Sequence, residues 1–399
     1  MASKKPDIAV FACSSYDRER IEEKVAEAFR LFGGPTAIVG KGESVFVKVN
    51  MVVPFEPERA VTTHPEVVRA VVAQLQTATD RIVIGESPGG PYNRTILKRA
   101  YEKTGMARVA EETGAALNYD VSEVQVPLPE GKQMKRLVLC RPVVDADRLV
   151  SISKLKTHVL MGLTGAIKNL YGTVPGMQKF TYHSRFHNEP EFAELLIDVV
   201  LAAKPDFHVV DAIWGMEGNG SVMGIPRHMG MLAAGPDPYA LDCYLGSLLG
   251  LKDGFNLPLA AAVSRGLFHG DPATVSVAGD DPAGLRVRHL KLPTKKSLIN
   301  WLPSPLMRRY SALMLIRPYP IGALCTGCAK CEEICPAHAI TVVDGTAVVD
   351  PGKCIRCYCC HELCEHGGIG LERPILAGPR RLFGHEPDRL GLDGKVDGA

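Results

Sequence analysis

The sequence predicts an α/β protein, in which a mostly parallel, helix-covered sheet precedes a small C-terminal α+β domain. Two observations divide the 399 residues in this way. Short apolar runs alternate with helical patterns in the N-terminal part, as crossover connections between parallel strands require. Nine of the 12 cysteines lie between Cys325 and Cys364. We therefore expect an α/β domain at 1–280, a linker at 281–320, a cysteine-rich domain at 321–373 and a flexible tail at 374–399.

The individual elements follow from local patterns. Asp17 precedes an amphipathic run that ends at Gly33, and Pro65 stands at the first position of a second helical run, where its missing N–H costs nothing. Prolines and basic residues loosen the pattern in the expected linker, where a short amphipathic helix around Trp301 is predicted to pack between the domains. The apolar runs predict strands at 7–13, 44–50, 81–85, 149–153 and 208–210, and helices at 17–32, 64–76 and 191–203.

The composition excludes several classes of protein. With 46% apolar residues the chain is not largely disordered, and a net charge of +2 gives no reason to expect nucleic acid as a partner. No apolar run approaches the roughly 18 residues of a membrane span. We expect a soluble, cytoplasmic protein, and in a reducing compartment a dense cysteine cluster predicts metal binding rather than disulfides.

The cysteines repeat one spacing, CxxCxxCxxxC, at 325–335 and again at 354–364. This is the bacterial ferredoxin spacing, in which three thiolates hold one [4Fe–4S] cluster and the fourth reaches the other cluster. The predicted ligands are Cys325, Cys328, Cys331 and Cys364 for the first cluster, and Cys354, Cys357, Cys360 and Cys335 for the second. Zinc is the alternative, but two tandem motifs exceed what a tetrahedral site needs.

Two further features concern this module. Cys359 is a fifth thiol inside the second motif, and we interpret it as a buried spare rather than a ligand. The apolar segments on either side of Asp344-Gly345 predict the β-hairpin of a ferredoxin-like fold.

Basic residues collect where strands of the α/β domain are predicted to end. Lys154, Lys156 and His158 alternate on one strand, and Lys48 ends another. The carboxyl ends of parallel strands are where open sheets bind ligands, so these groups suit a carboxylate or phosphate. A glycine-rich turn before Lys168 could present backbone N–H groups to the same anion. The alternative is that each lysine is an ordinary solvated strand end.

Other candidate residues follow in the chain. His183 and His187 have the i, i+4 spacing of a metal pair, although the segment is not convincingly helical. Asp211 is expected on a loop after a strand, where a carboxylate suits acid–base work or caps a turn. Asp242 begins a helical run and is interpreted as its cap.

Together these segments resemble the family of domain of unknown function 362, in the version fused to a double-cluster ferredoxin. The resemblance covers most of residues 7–372, and the chain departs from the family at Ser221 and Glu365, where proline is usual. The matching stretches are VFVKVN, TTHPEVVRAVV, KLKTHVLMGLTGAIKNLYGTVPG, VDAIWGMEGNGSVMG, DPYALD and CIRCYCCHELC. The positions that match the family pattern are Lys48, Lys154, Lys156, His158, Lys168, Asn169, His183, Asp211, Glu217 and Asp242.

Three functions are compatible with these features. The leading hypothesis is an iron–sulfur reductase that draws electrons from a redox partner protein and delivers them to an anionic small molecule. The lysines, His158 and Asn169 would bind this molecule, and His183, Asp211 or Glu217 would act catalytically. The second is an electron carrier whose α/β domain docks a partner enzyme, and the third a non-redox enzyme with structural or sensing clusters. No GxGxxG follows a strand, so no nicotinamide or flavin site is predicted.

Overall fold

The computed structural model of the chain describes residues 5–186, 188–293 and 316–372. The strands are β1 Ile8–Ala12, β2 Val45–Lys48, β3 Ile82–Gly85, β4 Ala116–Leu117, β5 Glu123–Pro127, β6 Arg136–Cys140, β7 Arg148–His158, β8 Gly162–Thr164, β9 Phe207–Glu217, β10 Ile225–Gly235, β11 Val277–Gly279, β12 Arg317–Pro320, β13 Ile340–Val343, β14 Thr346–Val349 and β15 Ile369–Glu372. The helices are α1 Arg18–Leu31, α2 Pro65–Leu75, α3 Arg94–Lys103, α4 Met106–Thr113, α5 Arg141–Asp145, α6 Ala166–Asn169, α7 Gln178–Arg185, α8 Glu189–Ala203, α9 Pro238–Leu248, α10 Leu257–Ser264, α11 Lys330–Glu333 and α12 Cys359–Glu362.

A nine-stranded sheet in the order β11-β1-β10-β9-β7-β2-β3-β4, with β8 paired to β7, organises the α/β unit, residues 5–293. Its strands are mostly parallel, as expected, but β8 and β10 run antiparallel to their neighbours. One face packs against α1 to α4 and the other against α6 to α10. Because β2, β3 and β7 are parallel neighbours, their carboxyl ends meet at one edge of the sheet.

Several predicted elements are confirmed, with shifted ends. Asp17 caps α1 by accepting the N–H of Arg20, and α2 begins at Pro65. Strand β9 is much longer than predicted because β10 pairs with it up to Glu217. Asp211 therefore lies within a strand, and its predicted placement on a loop is wrong.

The C-terminal unit, residues 316–372, contains two small antiparallel sheets. The predicted hairpin is present as β13 and β14, and β12 pairs with β15. The strand β12 lies in the stretch expected to be linker, while Leu285, near the start of that stretch, is buried in the core of the α/β unit. The segment 295–308 with Trp301, and the tail 374–399, lie outside the described residues.

The two units pack against each other. Phe180 of α7 belongs to one buried cluster with Ile334 and Cys359, and Leu363 packs against the apolar cluster around Val53. Glu365, at a position where the family usually has proline, lies 2.6 Å from Lys330 and 3.7 Å from Arg99 of α3. No helix in the described part of the chain is long and apolar enough to cross a membrane.

Candidate functional site

Two cavities in the C-terminal unit are lined by cysteines. The first has four cysteines in its wall together with Val342 and Ala347 of the hairpin. These cysteines are Cys325, Cys328, Cys331 and Cys364. The second is lined by Cys335, Cys354, Cys357, Cys359 and Cys360. Each cavity thus combines the first three predicted ligands of one motif with the last cysteine of the other, and the second cavity also contains Cys359.

The cysteine donor set of these cavities fits an iron–sulfur cluster. Among the described residues, no three histidine, cysteine, aspartate or glutamate side chains converge closely enough to hold one metal ion. A zinc site needs its cysteine sulfurs about 2.3 Å from one metal ion. In a [4Fe–4S] cluster each cysteine sulfur binds a different iron, so the sulfurs lie farther apart. Backbone N–H groups already point at sulfur, from Ala347 to Cys325 at 3.4 Å and from Gly368 to Cys364 at 3.1 Å. The ligation itself remains a prediction.

Cys359 is buried and lies at the boundary between the two units. Its thiol shares a hydrogen bond with Cys357, and this bond and burial raise the pKa of Cys359 well above the ordinary value. Cys359 lines the second cavity together with the predicted ligands, and its interpretation as a spare stays a prediction.

Lys48 belongs to a closed network at the end of β2. Its Nζ lies 2.6 Å from Glu86 and also donates to Asn169 and to the carbonyl of Val49. Asn169 accepts a second bond from Asn50 and donates to Ser151. An ammonium group has three donors, so Lys48 has none left for a ligand. Gly172 is required beside this network, because a Cβ there would collide with the Glu86 carboxylate.

Lys154 forms a second closed network on the other face of the sheet. Its Nζ lies 2.6 Å from Asp211, 2.8 Å from the hydroxyl of Tyr16 and 3.1 Å from the carbonyl of Trp214. Asp211 also accepts the Tyr16 hydroxyl and the backbone N–H of His64. This network ties the loop before α1 and the start of α2 to the sheet. It gives Lys154 and Asp211 a structural role and leaves neither free to meet a substrate.

Lys156 and His158, at the end of β7, each keep a hydrogen-bond donor without a partner among the described residues. Lys156 donates to Asn50 and to the carbonyl of Val61, both at 2.8 Å, which leaves one donor. The Nδ1 of His158 accepts the backbone N–H groups of Leu160 and Met161, so the proton of the neutral ring is on Nε2. Burial and nearby cations hold the pKa of His158 well below its usual value, so the ring is neutral.

Lys168, on α6, has all three donors uncommitted. It makes no hydrogen bond or ion pair within the part of the chain that the structure describes, and it keeps a small exposed fraction, whereas Lys48, Lys154 and Lys156 are fully buried. Burial lowers the pKa of Lys168, and the carboxylate of Glu362 opposes that shift. Lys168 is therefore the lysine of this group best placed to meet a ligand.

Glu362 of α12 brings the C-terminal unit to this edge of the sheet. Its Oε1 lies 3.1 Å from Nε2 of His158, out of line for a hydrogen bond, and neither atom has another partner among the described residues. Lys156 and Lys168 both lower the pKa of Glu362 against the rise that burial causes. We call His158, Lys156, Lys168 and Glu362 the boundary site.

The remaining candidates lie in different places. Glu217 accepts the backbone N–H of Lys291 at 3.0 Å and lies 4.0 Å from Arg227, at the far end of β9. His183 is buried beside the boundary site, stacked on Phe192, and burial and Lys168 lower its pKa to about 3. Its segment is helical, contrary to the sequence interpretation, because α7 packs its apolar side against the core. His187 lies outside the described residues.

The expected anion position at the glycine-rich turn is taken by an internal carboxylate. Asp242 accepts the backbone N–H of Ala166 at 2.6 Å and the side-chain amide of Asn256. It lies within α9, whose own cap is Asp237, so the interpretation of Asp242 as the cap of its own helix is wrong. Burial raises the pKa of Asp242 to about 7.

Sequence reasoning missed Glu86, Lys179 and Glu362. Glu86 directly follows β3, so the rule that places ligands at strand ends could have found it. Lys179 donates to Ser87 and to the carbonyl of Val174, and nothing in the sequence signals this buried lysine. Glu362 is two residues from Cys360 in the second motif, but its contact with β7 follows only from how the units pack.

The fold and cavities describe an α/β protein whose C-terminal unit has the cysteine arrangement of ferredoxins. The chain belongs to the family called domain of unknown function (DUF362), whose pattern matches residues 45–246. It is 30% identical over 295 residues to the thylakoid-associated protein sll1697 of Synechocystis sp. (strain ATCC 27184 / PCC 6803 / Kazusa). That alignment covers 72% of this chain and 87% of the relative.

Short matches also connect the chain with ferredoxin-type proteins. One is 45% identical over 47 residues, 12% of this chain and 18% of the relative, to a component of the ion-translocating oxidoreductase complex of Methanosarcina acetivorans. Another is 39% identical over 57 residues, 14% of this chain and 38% of the relative, to the uncharacterized ferredoxin MJ0155 of Methanocaldococcus jannaschii.

Among solved structures, the lactate racemase apoprotein from Thermoanaerobacterium thermosaccharolyticum aligns with a TM-score of 0.38 and 15% identity, over 60% of this chain and 56% of that one. So remote a likeness carries no argument about function.

Proposed function

We propose that this protein is an iron–sulfur oxidoreductase that reduces a small anionic molecule at the boundary site. The observation that carries the proposal is the position of Glu362. It lies on the short helix that also carries Cys360, a predicted ligand of the second cluster, and it meets His158 of the α/β unit at 3.1 Å. A ligand held by the free groups of this site would therefore lie beside the second cysteine cavity.

The cysteines that line the cavities would hold two [4Fe–4S] clusters, each of which carries one electron. The two cavities differ in exposure. Cys328 of the first is exposed, whereas Tyr358, Cys359 and Cys360 of the second are buried. A redox partner protein would therefore deliver electrons at the first cavity, and the second would face the substrate.

The α/β unit would bind and orient the substrate. Lys168 offers three donors, Lys156 one, and His158 offers its Nε2–H, so an anion can accept several bonds at once. A charge-assisted hydrogen bond contributes about 1.5–3 kcal/mol. Burial also holds the pKa of Lys156 well below its usual value, which makes its ammonium group a stronger acid than a solvated lysine. Lys156 can thus give a proton to the substrate as electrons arrive.

An electron carrier without a substrate is the second candidate, and one observation favours it. Glu362 already places a carboxylate among the cations of the boundary site. If that carboxylate is a permanent counter-charge, the site is closed and the α/β unit only positions the second cluster. The two functions differ in whether any small anion accepts electrons.

The test is a reductant-driven screen on anaerobically purified protein with counted iron and sulfide. Dithionite reduces the protein, small anionic oxidants are added, and reoxidation is followed by the recovery of cluster absorbance. The proposal predicts a saturable acceptor whose turnover falls in Lys168→Met while iron content is unchanged. Lys353→Met, which removes an exposed lysine beside Cys354, is the matched control. Reoxidation by a protein acceptor alone would support the carrier.

A further inference from the structure

One ion pair lies in the wall of the first cysteine cavity. Lys330 of α11 and Glu365 both line this cavity, together with the four cysteines predicted to hold the first cluster. Nζ of Lys330 lies 2.6 Å from the carboxylate of Glu365. The Glu365 side chain is only 18% exposed, whereas that of Lys330 is 44% exposed. Solvent therefore screens the charge of the lysine more than that of the carboxylate.

The second cavity has different residues at the corresponding places of the repeated motif. Lys330 precedes the third cysteine of the first motif, where the second motif has Cys359. Glu365 follows the last cysteine of the second motif, where the first motif has Pro336. Cys359 and Pro336 both line the second cavity, whose described wall contains Arg356 but no carboxylate. Within the described residues, an ion pair in the cavity wall therefore belongs to the first cavity.

Arg99 of α3 connects this ion pair to the α/β unit. Its guanidinium lies 3.7 Å from Glu365 but is 59% exposed, and Arg99 is not part of the cavity wall. Two residues before Glu365, Leu363 lies so close to Gly89 of the α/β unit that a Cβ on this glycine would collide with it. These contacts hold segment 363–365 against the α/β unit, so the carboxylate keeps a fixed place in the cavity wall.

We infer that Glu365 lowers the reduction potential of the first [4Fe–4S] cluster by neutralising Lys330 in the cavity wall. Reduction converts [4Fe–4S]²⁺ and one electron to [4Fe–4S]⁺, so the cluster gains one negative charge. An uncompensated ammonium group beside the cluster would stabilise that charge, and the carboxylate removes this stabilisation. A lower potential at the exposed first cluster favours transfer of its electron to the second. The inference rests on the proposed clusters, which iron and sulfide counting tests separately, and it does not require a substrate.

The experiment is an anaerobic redox titration of the holoprotein with dithionite, in which electron paramagnetic resonance follows each cluster. Cys331→Ser, which removes a predicted ligand of the first cluster, assigns the signals. Glu365→Gln should shift the reduction equilibrium of the first cluster toward the reduced form by on the order of tenfold, about 59 mV for one electron. Lys330→Gln should shift it toward the oxidised form, because the carboxylate then loses its closest cation. The double variant should return to near the wild-type potential, and the second cluster should not respond to any of these changes.

Glu372→Gln is the matched control, because this carboxylate is also ion-paired, 3.0 Å from Arg317, but lines neither cavity. It should leave both potentials unchanged. Arg99→Gln removes a contact between the units without changing the cavity wall, and it should shift the first potential less than Glu365→Gln does. If Glu365→Gln does not retain the first cluster, Lys330→Gln alone decides, by its shift toward the oxidised form. Wild-type potentials in the single variants of the pair, equal shifts at both clusters, or as large a shift in Arg99→Gln would overturn the inference.

Discussion

Nε2 of His158 lies 3.1 Å from Oε1 of Glu362, which joins the end of β7 to helix α12. The backbone fixes the proton of the neutral ring on Nε2, so His158 has a donor beside the carboxylate, although the two groups are out of line for a hydrogen bond. Both atoms are buried without another partner among the described residues. A ligand bound beside His158 and Glu362 would therefore lie next to the second cysteine cavity, which is the predicted source of electrons.

The first prediction concerns the clusters. Wild-type protein should contain about eight iron atoms per chain, and Cys331→Ser should lower this to about four because one cubane loses a ligand. Cys359→Ser should retain all the iron, because each predicted cluster already has four other cysteines in its cavity. Iron, sulfide and zinc analysis checks all three proteins. Stoichiometric zinc without labile sulfide would contradict the cluster assignment.

The second prediction separates structural lysines from functional ones. Lys48→Met should lower the free energy of unfolding by about 3–5 kcal/mol, because it leaves Glu86 buried without its partner. Lys48→Met with Glu86→Leu should recover much of that loss. Lys168→Met should have a smaller effect on stability. This lysine has no direct partner among the described residues, so its removal leaves no buried group unpaired. Unfolding midpoints of the anaerobic holoproteins test this order, and the reverse order would show that Lys168 is structural.

The third prediction concerns pH. His208 is fully buried in β9, neither ring nitrogen has a partner among the described residues, and burial lowers its pKa to about 3. The His208 side chain binds a proton near pH 6.5 in the unfolded chain, but only near pH 3 in the folded protein. Stability should therefore fall as pH drops from 6.5 towards 3, by about 2 kcal/mol between pH 7 and pH 5 for this group.

His208→Leu should remove that part of the pH dependence. The thermal midpoints of wild type and variant should diverge between pH 7 and pH 5, with the variant the more stable at pH 5. His269→Gln changes an exposed histidine and should follow the wild type. An identical pH profile in His208→Leu would show that His208 has a partner in solution.

The fourth prediction tests Glu362 as an internal anion. Glu362→Gln removes the carboxylate that balances Lys156 and Lys168, so an anionic acceptor should bind about tenfold more tightly. Glu333→Gln is the matched control, because Glu333 occupies the equivalent place in the first motif and is exposed. The concentration dependence of reoxidation gives both affinities. Weaker binding in Glu362→Gln would mean that this residue contacts the acceptor directly.

The sequence predicts the parts of this structure that depend on spacing. The cysteine motifs anticipate which thiols share a cavity, and strand polarity anticipates that Lys48, Lys156 and His158 gather at one sheet edge. It does not predict which lysines are already neutralised. Lys154 meets Asp211 because β7 and β9 are neighbours, and a register shift then separates Lys154 from Lys156. Such pairings depend on topology and packing. The contact between Glu362 of the C-terminal unit and His158 of β7 depends on them in the same way.

The central claim is that electrons reach an anion bound by Lys168. The most direct measurement is a single-turnover experiment in which dithionite-reduced holoprotein is mixed rapidly with the acceptor found in the screen. We predict that the reoxidation rate saturates with acceptor concentration, and that Lys168→Met needs roughly ten- to a hundredfold more acceptor for half-saturation at unchanged iron content. The same concentration dependence in both proteins would contradict the claim and place the reaction elsewhere.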